Sequence, residues 1–309
     1  MWQCGTYTFD TSKPLIMGIL NVTPDSFSDG GLYYSKSDAN GSAKPRVESS
    51  ASLSAKSSAK KPSEQTAQGI ERACNHARRM VSEGAKIIDV GGESTRPGSD
   101  EVSTKEELRR VLPVVQTLAS EGIAVSVDTR HAEVAAVCIE QGAAVINDVS
   151  GFSDEAMRKL AQETQVGCIV MHAQGEPKTM QDAPYYDDVV GEVEEFLCAR
   201  AQLLEKEYGV ARARIALDPG PGFGKNFEHN KALLYATDRL ASQGYPLVAA
   251  WSRKRFIGEL AGVEEPSERV AGSVAVALFA AAQGARILRV HDVAQTAQVL
   301  EGFGQGAAL

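Results

Sequence analysis

The stretch AVSVDTRHAEVAAVCIEQGAAVIND, residues 124–148, decides the fold. It contains two short and mostly apolar runs, residues 124–127 and 144–146, of the kind found in strands buried on both faces of a parallel sheet. Residues 131–141 lie between these runs and place their apolar positions at helical spacing, and Gly142 follows, where glycine commonly closes a helix. This stretch therefore predicts one strand–helix–strand unit.

The same alternation extends outward in both directions. Six further apolar runs are predicted as strands, at residues 15–20, 86–90, 167–171, 214–217, 247–250 and 286–290. Helical patterns separate them, for example at 106–120, 192–208 and 267–283, and glycine follows several helices, at Gly84, Gly122, Gly142, Gly209, Gly244 and Gly284. Eight strand–helix units predict an α/β protein with a closed (β/α)8 TIM barrel, and an open eight-stranded sheet is the alternative.

Residues 35–63 differ in composition from the rest of the chain. Serine and lysine dominate there, and Val47 and Leu53 are the only large aliphatic residues. Such a segment buries too little apolar surface to offset the entropy lost on ordering. We expect a flexible insertion in the first βα unit of a single domain spanning residues 1–309. A solvated loop without a role and a regulatory or partner-binding arm both remain open.

Composition and charge exclude several classes of protein. The chain has 32 basic and 40 acidic residues and a net charge of −8, which disfavours general nucleic-acid binding. Its longest apolar run, residues 274–282, is much shorter than the roughly 20 residues of a membrane span. The five cysteines form no CxxC pair, so reduced thiols in a cytoplasmic protein are expected.

Polar residues follow nearly every predicted strand. In a parallel barrel the carboxyl ends of the strands meet at one mouth, where catalytic groups gather. One such residue is weak evidence, but the joint pattern predicts a site formed by residues from many strands. They are Asn21, Glu93, Asp128, Asn147, Asp148, His172, Asp218, Ser252, Arg253, Lys254, Arg289, His291 and Asp292.

Two subsets of these residues suggest ligands. Arg289 and His291 are two positions apart on a strand, so they share a face and predict an anion site, with phosphate as the usual occupant. Ser252 is predicted to cap a short helix that continues to residue 260 and offers a second anion site at its N-terminus.

The other subset consists of Asp128, Asn147 and Asp218. Two carboxylates and an amide that face inward can bind the N–H and C=O groups of a nitrogen heterocycle. A divalent cation and purely structural hydrogen bonding are the competing uses. The sequence PGPGFGK, residues 219–225, follows Asp218, and its glycines permit close backbone approach to a ligand, although it does not fit a Walker loop.

Two longer motifs are LNVTPDSFSDGG at 20–31 and IDVGGESTRPG at 88–98. Together with the residues above, they resemble the two signatures of the dihydropteroate synthase family. Further matches occur in the family's order, namely SVDT at 126–129, IND at 146–148, MHAQG at 171–175, LDPG at 217–220, SRK at 252–254 and RVHD at 289–292. Pro221 stands where many members carry phenylalanine, and Ala250-Trp251 replaces a common Gly-Met.

The resemblance implies a (β/α)8 barrel that joins 6-hydroxymethyl-7,8-dihydropterin diphosphate to p-aminobenzoate in an SN1-like substitution, giving 7,8-dihydropteroate and diphosphate. It implies that the pterin is bound by Asp128, Asn147, Met171, Asp218 and Lys254. It implies that the p-aminobenzoate pocket, also the sulfonamide site, is formed by Phe27, Thr95, Arg96, Pro97, Phe223 and Ser252.

The same resemblance implies a diphosphate site at Asn21, Arg289 and His291, with Mg²⁺ held at Asn21. Catalytic roles are implied for Asn21, Asp25, Lys254, Arg289 and His291, and a homodimer is expected. The alternatives are another pterin-binding barrel enzyme, such as a methyltetrahydrofolate methyltransferase, and a catalytically inactive pterin-binding protein. The loops containing Asn21–Phe27 and Thr95-Arg96-Pro97 disfavour the first, and the intact anion-binding residues disfavour the second.

Overall fold

A computed structural model describes residues 1–23, 62–93, 102–175 and 179–304, apart from the side chains of 62–66. Ten strands are present in these ranges. β1 and β2 form a hairpin, and the other eight are parallel in the order β8-β7-β6-β5-β4-β3-β10-β9. Their bounds are β1 Trp2–Cys4, β2 Tyr7–Phe9, β3 Leu15–Asn21, β4 Ile87–Gly91, β5 Val125–Asp128, β6 Val145–Asp148, β7 Gly167–Met171, β8 Ile215–Asp218, β9 Val248–Ala249 and β10 Ile287–Val290.

The sheet closes on itself between its two outer strands. Leu217 of β8 forms a parallel bridge with Leu247, the residue before β9. The N–H of Leu217 also donates to the carbonyl oxygen of Pro246 at 2.9 Å. The predicted (β/α)8 barrel is therefore confirmed, and the open sheet is excluded.

Helices surround the barrel. Their bounds are α1 Pro62–Ser82, α2 Thr104–Ser120, α3 Ala132–Glu140, α4 Glu155–Glu163, α5 Val189–Lys206, α6 Phe227–Tyr235, α7 Thr237–Ala241, α8 Arg255–Ala261, α9 Val270–Ala282 and α10 Val293–Gly304. Short 3₁₀ turns occupy Arg212–Arg214 and Pro266–Glu268. Within the described ranges, no helix has the length and apolar character needed to cross a membrane.

All eight predicted barrel strands are present, with small shifts at their ends. The segments predicted at 124–127 and 144–146 are β5, which extends to Asp128, and β6, which extends to Asp148. Polar residues continue these strands because Asp128 still pairs with Asn147 in the ladder while the side chains reach the mouth. The six glycines predicted to close helices all have positive φ angles, between 63° and 117°.

Two helix predictions need correction. The pattern at 267–283 is divided, because Arg269 separates the 3₁₀ turn from α9. Helix α8 begins at Arg255, so Ser252 does not cap it, and Lys254 occupies the N-cap position. The reason is Arg253, which adopts a left-handed conformation with a φ of 57° and delays the helix. The predicted insertion at 35–63 lies outside the described residues, except that Pro62 and Ser63 begin α1.

The amino-terminal end of the barrel is filled by apolar side chains. Trp2 and Cys4 of the hairpin are fully buried there, in contact with inward-facing residues from the first half of each strand, such as Met17 and Ile169. The indole N–H of Trp2 donates to the carbonyl oxygen of Arg214 at 3.0 Å. The hairpin therefore closes this end, and only the opposite end is available for a site.

Candidate active site

Strand register aligns the predicted polar residues at the carboxyl end of the barrel. Asn21 pairs with Gly91, Gly91 with Asp128, and Asp128 with Asn147 on neighbouring strands. Met171 pairs with Asp218 on β8 and lies two positions after Ile169, the β7 residue that pairs with Asn147. Because side chains alternate along a strand, residues at one level of neighbouring strands face the same way. The predicted convergence on one mouth is confirmed for Asn21, Asp128, Asn147, Met171 and Asp218, but Asp148, the neighbour of Asn147, faces the opposite way and accepts backbone hydrogen bonds of the following loop.

Arg289 joins two carboxylates across the mouth. Its Nε donates to Oδ2 of Asp89 and its Nη2 to Oδ2 of Asp128, both at 2.6 Å. Nδ2 of Asn147 donates to the same oxygen of Asp89 at 3.1 Å. The expected pairing of Arg289 with His291 at an anion site is therefore only part of the arrangement, because two of the guanidinium nitrogens are bound to carboxylates.

Burial and charge act against each other in this network. Burial raises the pKa of the Asp128 carboxyl group even though Arg289 lowers it, and the charge on Asp89 adds to the increase. Burial also raises the pKa of Asp218. For Arg289, burial disfavours the charged form, but Asp89 and Asp128 outweigh it and raise the pKa. The guanidinium thus stays charged, and the carboxyl groups of Asp128 and Asp218 retain protons more readily than exposed ones.

Lys254 and Asp218 lie beside the loop that follows β8. Nζ of Lys254 donates to the carbonyl oxygen of Pro221 at 2.6 Å and lies 4.7 Å from the ring centre of Phe223. Burial lowers the pKa of Lys254 to about 8, against the opposing effect of Asp218. Oδ1 of Asp218 accepts the N–H of Gly220 at 2.7 Å. Predicted residues for the pterin and for p-aminobenzoate thus meet at this loop.

The loops after β7 and β8 are fastened together by Lys225. Its Nζ donates to Nδ1 of His172 at 2.9 Å and to the carbonyl oxygens of Gly220 and Phe223 at 3.0 Å. Gly220 has a φ of +61°, and a Cβ there would lie 1.8 Å from the carbonyl oxygen of His172. Only glycine fits this position, where the two backbones touch.

Ser252 and His291 are brought together at the end of β10. Oγ of Ser252 accepts the backbone N–H of His291 at 3.1 Å and lies 3.1 Å from its Nδ1. Ser252 therefore orients the imidazole instead of capping a helix. Arg253 turns away to Asp292, with its Nε 3.0 Å from Oδ2, and is held in a structural ion pair.

The chain is similar to known proteins over most of its length. Residues 57–291 match the family of pterin-binding enzymes. The chain is 43% identical over 307 residues to a dihydropteroate synthase of Neisseria meningitidis serogroup B, covering 97% of this chain and 95% of that protein. The chain belongs to the dihydropteroate synthase family.

Solved structures of dihydropteroate synthases agree. The Xanthomonas albilineans enzyme with 4-aminobenzoic acid superposes with a TM-score of 0.80 at 40% identity, covering 97% of this chain and 96% of that one. The Burkholderia cenocepacia enzyme complexed with 7,8-dihydropteroate gives a TM-score of 0.80 at 38% identity, covering 99% and 95%. Activity in folate synthesis as a transferase follows from this membership.

Some residues that the dihydropteroate synthase resemblance implies lie outside the described residues. They are Asp25, Phe27, Thr95, Arg96 and Pro97. The remaining expected site residues all lie at the carboxyl end of the barrel strands or in the loops that follow. The roles assigned to individual residues stay predictions.

Sequence reasoning missed two residues of this site, Asp89 and Lys225, and it also missed the contact between Lys225 and His172. Asp89 is fully buried at the centre of the ion-pair network, and His172 and Lys225 join two loops. A signal for Asp89 was present, because it is the only ionisable residue inside the apolar run of β4, and it lies two positions before Gly91 on the same face. The contacts of His172 and Lys225 had no such signal, since 53 residues separate them.

Pro221 and the pair Ala250-Trp251, which depart from the family pattern, lie in different parts of the barrel. Pro221 borders the mouth through its carbonyl oxygen, which accepts from Lys254. Trp251 is buried in the outer core, with its ring centre 5.2 Å from that of Phe256. Ala250 belongs to the inner core below the mouth. Trp251 therefore packs against α8 on the outer face of the barrel sheet and does not face the mouth.

Proposed function

We propose that the chain carries out the reaction of its family through the residues at the barrel mouth. It joins 6-hydroxymethyl-7,8-dihydropterin diphosphate to p-aminobenzoate, releasing diphosphate and forming 7,8-dihydropteroate. The observation that carries the proposal is the convergence of Asp128, Asn147, Asp218, Lys254 and Arg289 on one mouth of a barrel whose other end is closed. Side chains of suitable chemistry are then available for the pterin, for the diphosphate and for p-aminobenzoate.

The pterin is the substrate that the inward-facing polar groups suit. Its ring edge presents N–H donors and carbonyl and ring-nitrogen acceptors, which carboxylates, an amide and an ammonium group complement. Asp128, Asn147, Asp218 and Lys254 provide these groups, and Met171 provides an apolar surface beside them. Their pre-existing hydrogen bonds favour this use, because buried polar groups already held in place lose little entropy on binding.

Asn21, Arg289 and His291 would hold the diphosphate, together with Mg²⁺. Oδ1 of Asn21 and Oδ2 of Asp128 fit such an ion, since both face the space above Gly91, at 3.7 and 3.8 Å from the position that a Cβ would occupy. Mg²⁺ commonly uses one or two protein oxygens and completes its shell with phosphate and water. When bound, it would neutralise charge on the leaving diphosphate.

The p-aminobenzoate site would lie next to Lys254, where Phe223 offers a ring face and Ser252 offers a hydroxyl group. Phe27, Thr95, Arg96 and Pro97 complete the proposed set by their sequence motifs, and Asp25 keeps its proposed catalytic role. A sulfonamide would occupy the same place as p-aminobenzoate. Competition between the two in a binding assay tests this part, and simultaneous binding of both would contradict it.

The chemistry requires no nucleophilic side chain. The bond between the exocyclic methylene carbon and the diphosphate oxygen breaks, and the electron pair leaves with diphosphate, whose charge Arg289 and His291 stabilise. The dihydropterin ring delocalises the positive charge that remains on the methylene carbon. The aniline nitrogen then attacks this carbon, forms the C–N bond and loses one proton to solvent.

Two further points belong to the proposal. The chain would act in the cytoplasm, which agrees with five cysteines that are all unpaired. It would form a homodimer through α9, whose Leu278 and Phe279 are only partly buried. Sedimentation equilibrium tests the dimer, and a monomer at micromolar concentration would contradict it.

Diphosphate release in a coupled assay is the central test. We expect release that requires p-aminobenzoate and that falls when Mg²⁺ is removed by a chelator. Product identity is checked by mass spectrometry for 7,8-dihydropteroate. Release without p-aminobenzoate, or none with both substrates and Mg²⁺ present, would contradict the proposed function.

A further inference from the structure

A second cluster of ionisable side chains lies near the mouth but uses a different set of residues. Glu93 follows β4 by two positions, Glu107 lies in the first turn of α2, and His131 immediately precedes α3. One ligand atom from each side chain lies within 4.8 Å of the other two. Nδ1 of His131 is 2.7 Å from Oε2 of Glu107. We call these three residues the outer cluster.

The outer cluster lies on the opposite side of the sheet from the active site. A Cβ on Gly91 would face Asn21 and Asp128 in the mouth. A Cβ on Gly92 would instead lie 2.7 Å from Cγ1 of Val111 and 3.1 Å from Cγ of Glu107. Neighbouring residues point to opposite faces of an extended chain. Glu107 therefore lies between the sheet and α2, outside the barrel.

One oxygen of Glu107 points to a ligand. The side chain of Glu107 is 0% exposed, and its Oε1 has no hydrogen-bond partner among the described residues. A polar atom that loses its water without gaining a partner costs about 1–3 kcal/mol, and more when it carries charge. A cation bound to this oxygen would remove that cost.

The charges around the outer cluster also favour a cation. Glu93 accepts the N–H of Val102 at 3.1 Å and pairs with Arg130 at 3.3 Å. That ion pair is longer than the roughly 2.7–2.9 Å of a strong charge-assisted hydrogen bond. A metal-bound imidazole is neutral, so Glu93, Glu107, His131 and Arg130 would together carry a net charge of −1 when His131 binds an ion.

We propose that the outer cluster is a binding site for a divalent transition-metal ion, with Zn²⁺ as the ion that suits it best. Two carboxylate oxygens and one imidazole nitrogen are common Zn²⁺ ligands, and water takes the fourth tetrahedral position. Bonds of about 2.0–2.2 Å require the ligand atoms to draw together from their present separation. The bound ion joins the segment after β4 to the starts of α2 and α3, just before Thr95, Arg96 and Pro97 in the sequence.

This site differs chemically from the one proposed for Mg²⁺ at Asn21. Mg²⁺ requires near-octahedral oxygen ligands and releases water reluctantly, whereas Zn²⁺ accepts imidazole and a small coordination number. Zn²⁺ also binds mixed nitrogen and oxygen ligands more tightly than Mn²⁺ does. Adding Zn²⁺ in the presence of Mg²⁺ therefore distinguishes the outer cluster from the Mg²⁺ site proposed at Asn21.

The test is calorimetric titration of the full chain with Zn²⁺ after chelator treatment, with Mg²⁺ kept in excess. We expect about one equivalent of Zn²⁺, with affinity at least tenfold lower in Glu107→Gln and in His131→Gln. Both substitutions keep a side chain of similar size that can form hydrogen bonds. Glu106→Gln is the matched control, because Glu106 is the preceding residue and pairs with Arg109 and Arg110 outside the cluster. It should bind Zn²⁺ as the wild type does.

Wild-type affinity in both ligand variants would overturn the proposal, because the ion would then lie on thiols or on carboxylates of the mouth. Absence of stoichiometric binding to the wild type would also overturn it. Anomalous diffraction from wild-type crystals soaked in Zn²⁺ provides a measurement that is independent of variant folding. We expect a peak within bonding distance of Glu107 and His131, and a peak only at other residues would overturn the proposal.

Discussion

The two ends of the barrel are built from the same eight strands but differ in every respect that matters for function. At the amino-terminal end, inward-facing side chains are apolar and the hairpin containing Trp2 fills the opening. At the carboxyl end, the same inward face carries Asp89, Asp128 and Arg289, whose charges are paired with one another. We therefore expect substitutions at the closed end to change stability more than turnover, and substitutions at the open end to change turnover through the roles proposed above.

The largest expected effect is on stability at the closed end. Trp2→Ala removes a fully buried side chain and a hydrogen bond to Arg214, so we expect the free energy of unfolding to fall by about 3–5 kcal/mol. Chemical denaturation measures this change. Turnover per folded molecule should stay near the wild-type value. Tyr235→Ala is the control, since Tyr235 is 64% exposed. An equal fall in the free energy of unfolding for this variant would contradict the special importance of burial at the closed end.

The next effect is on turnover at the open end. Arg289→Ala removes the cation that we propose faces the leaving diphosphate, so we expect turnover to fall about 100- to 1,000-fold. Pterin affinity, measured by calorimetry, should fall less. Arg286→Ala is the matched control at the residue just before the same strand, where the Arg286 side chain donates hydrogen bonds to the backbone carbonyl oxygens of Ala281 and Ala285. Unchanged turnover of Arg289→Ala with saturating substrates would contradict its role.

A smaller effect concerns pH. Burial lowers the pKa of Lys254 to about 8, so its ammonium group loses a proton as the pH rises through that value. If the charged form binds the pterin, the KM for the pterin should rise above pH 8, approaching tenfold per pH unit. In Lys254→Met, the KM for the pterin should be higher than in the wild type and should not change between pH 7 and 9.5. If the KM of this variant still rises above pH 8, the group that loses its proton is another residue, such as Lys225.

The smallest effect is expected for shortening the Ser/Lys-rich segment. Deleting residues 42–61 removes few apolar side chains, and loop-closure entropy changes slowly with loop length, so the free energy of unfolding should change by less than about 1 kcal/mol. Thermal unfolding followed by circular dichroism measures this. Loss of a cooperative transition would show that the segment contributes to the core. The stability of the barrel would then depend on more than its closed end.

The accuracy of the sequence predictions follows a physical pattern. Strands and helices were located to within a few residues because apolar periodicity is a local property. The helix-capping role of Ser252 was predicted wrongly, because a serine before a helical pattern is locally a good cap, and only the left-handed Arg253 moves the helix start. Arg289 was expected beside His291, but its carboxylate partners come from β4 and β5, 200 and 161 residues away in sequence.

By itself, the sequence determined the number and order of strand–helix units, the polar residues that end the strands, and the family they resemble. These are properties of residue type and spacing along the chain. The tertiary structure alone decided which charges meet, namely Arg289 with Asp89 and Asp128, and Lys225 with His172. It also separated the mouth from the outer cluster of Glu93, Glu107 and His131. Closure of the barrel brings distant residues within hydrogen-bonding distance, and no local pattern encodes which pairs will form.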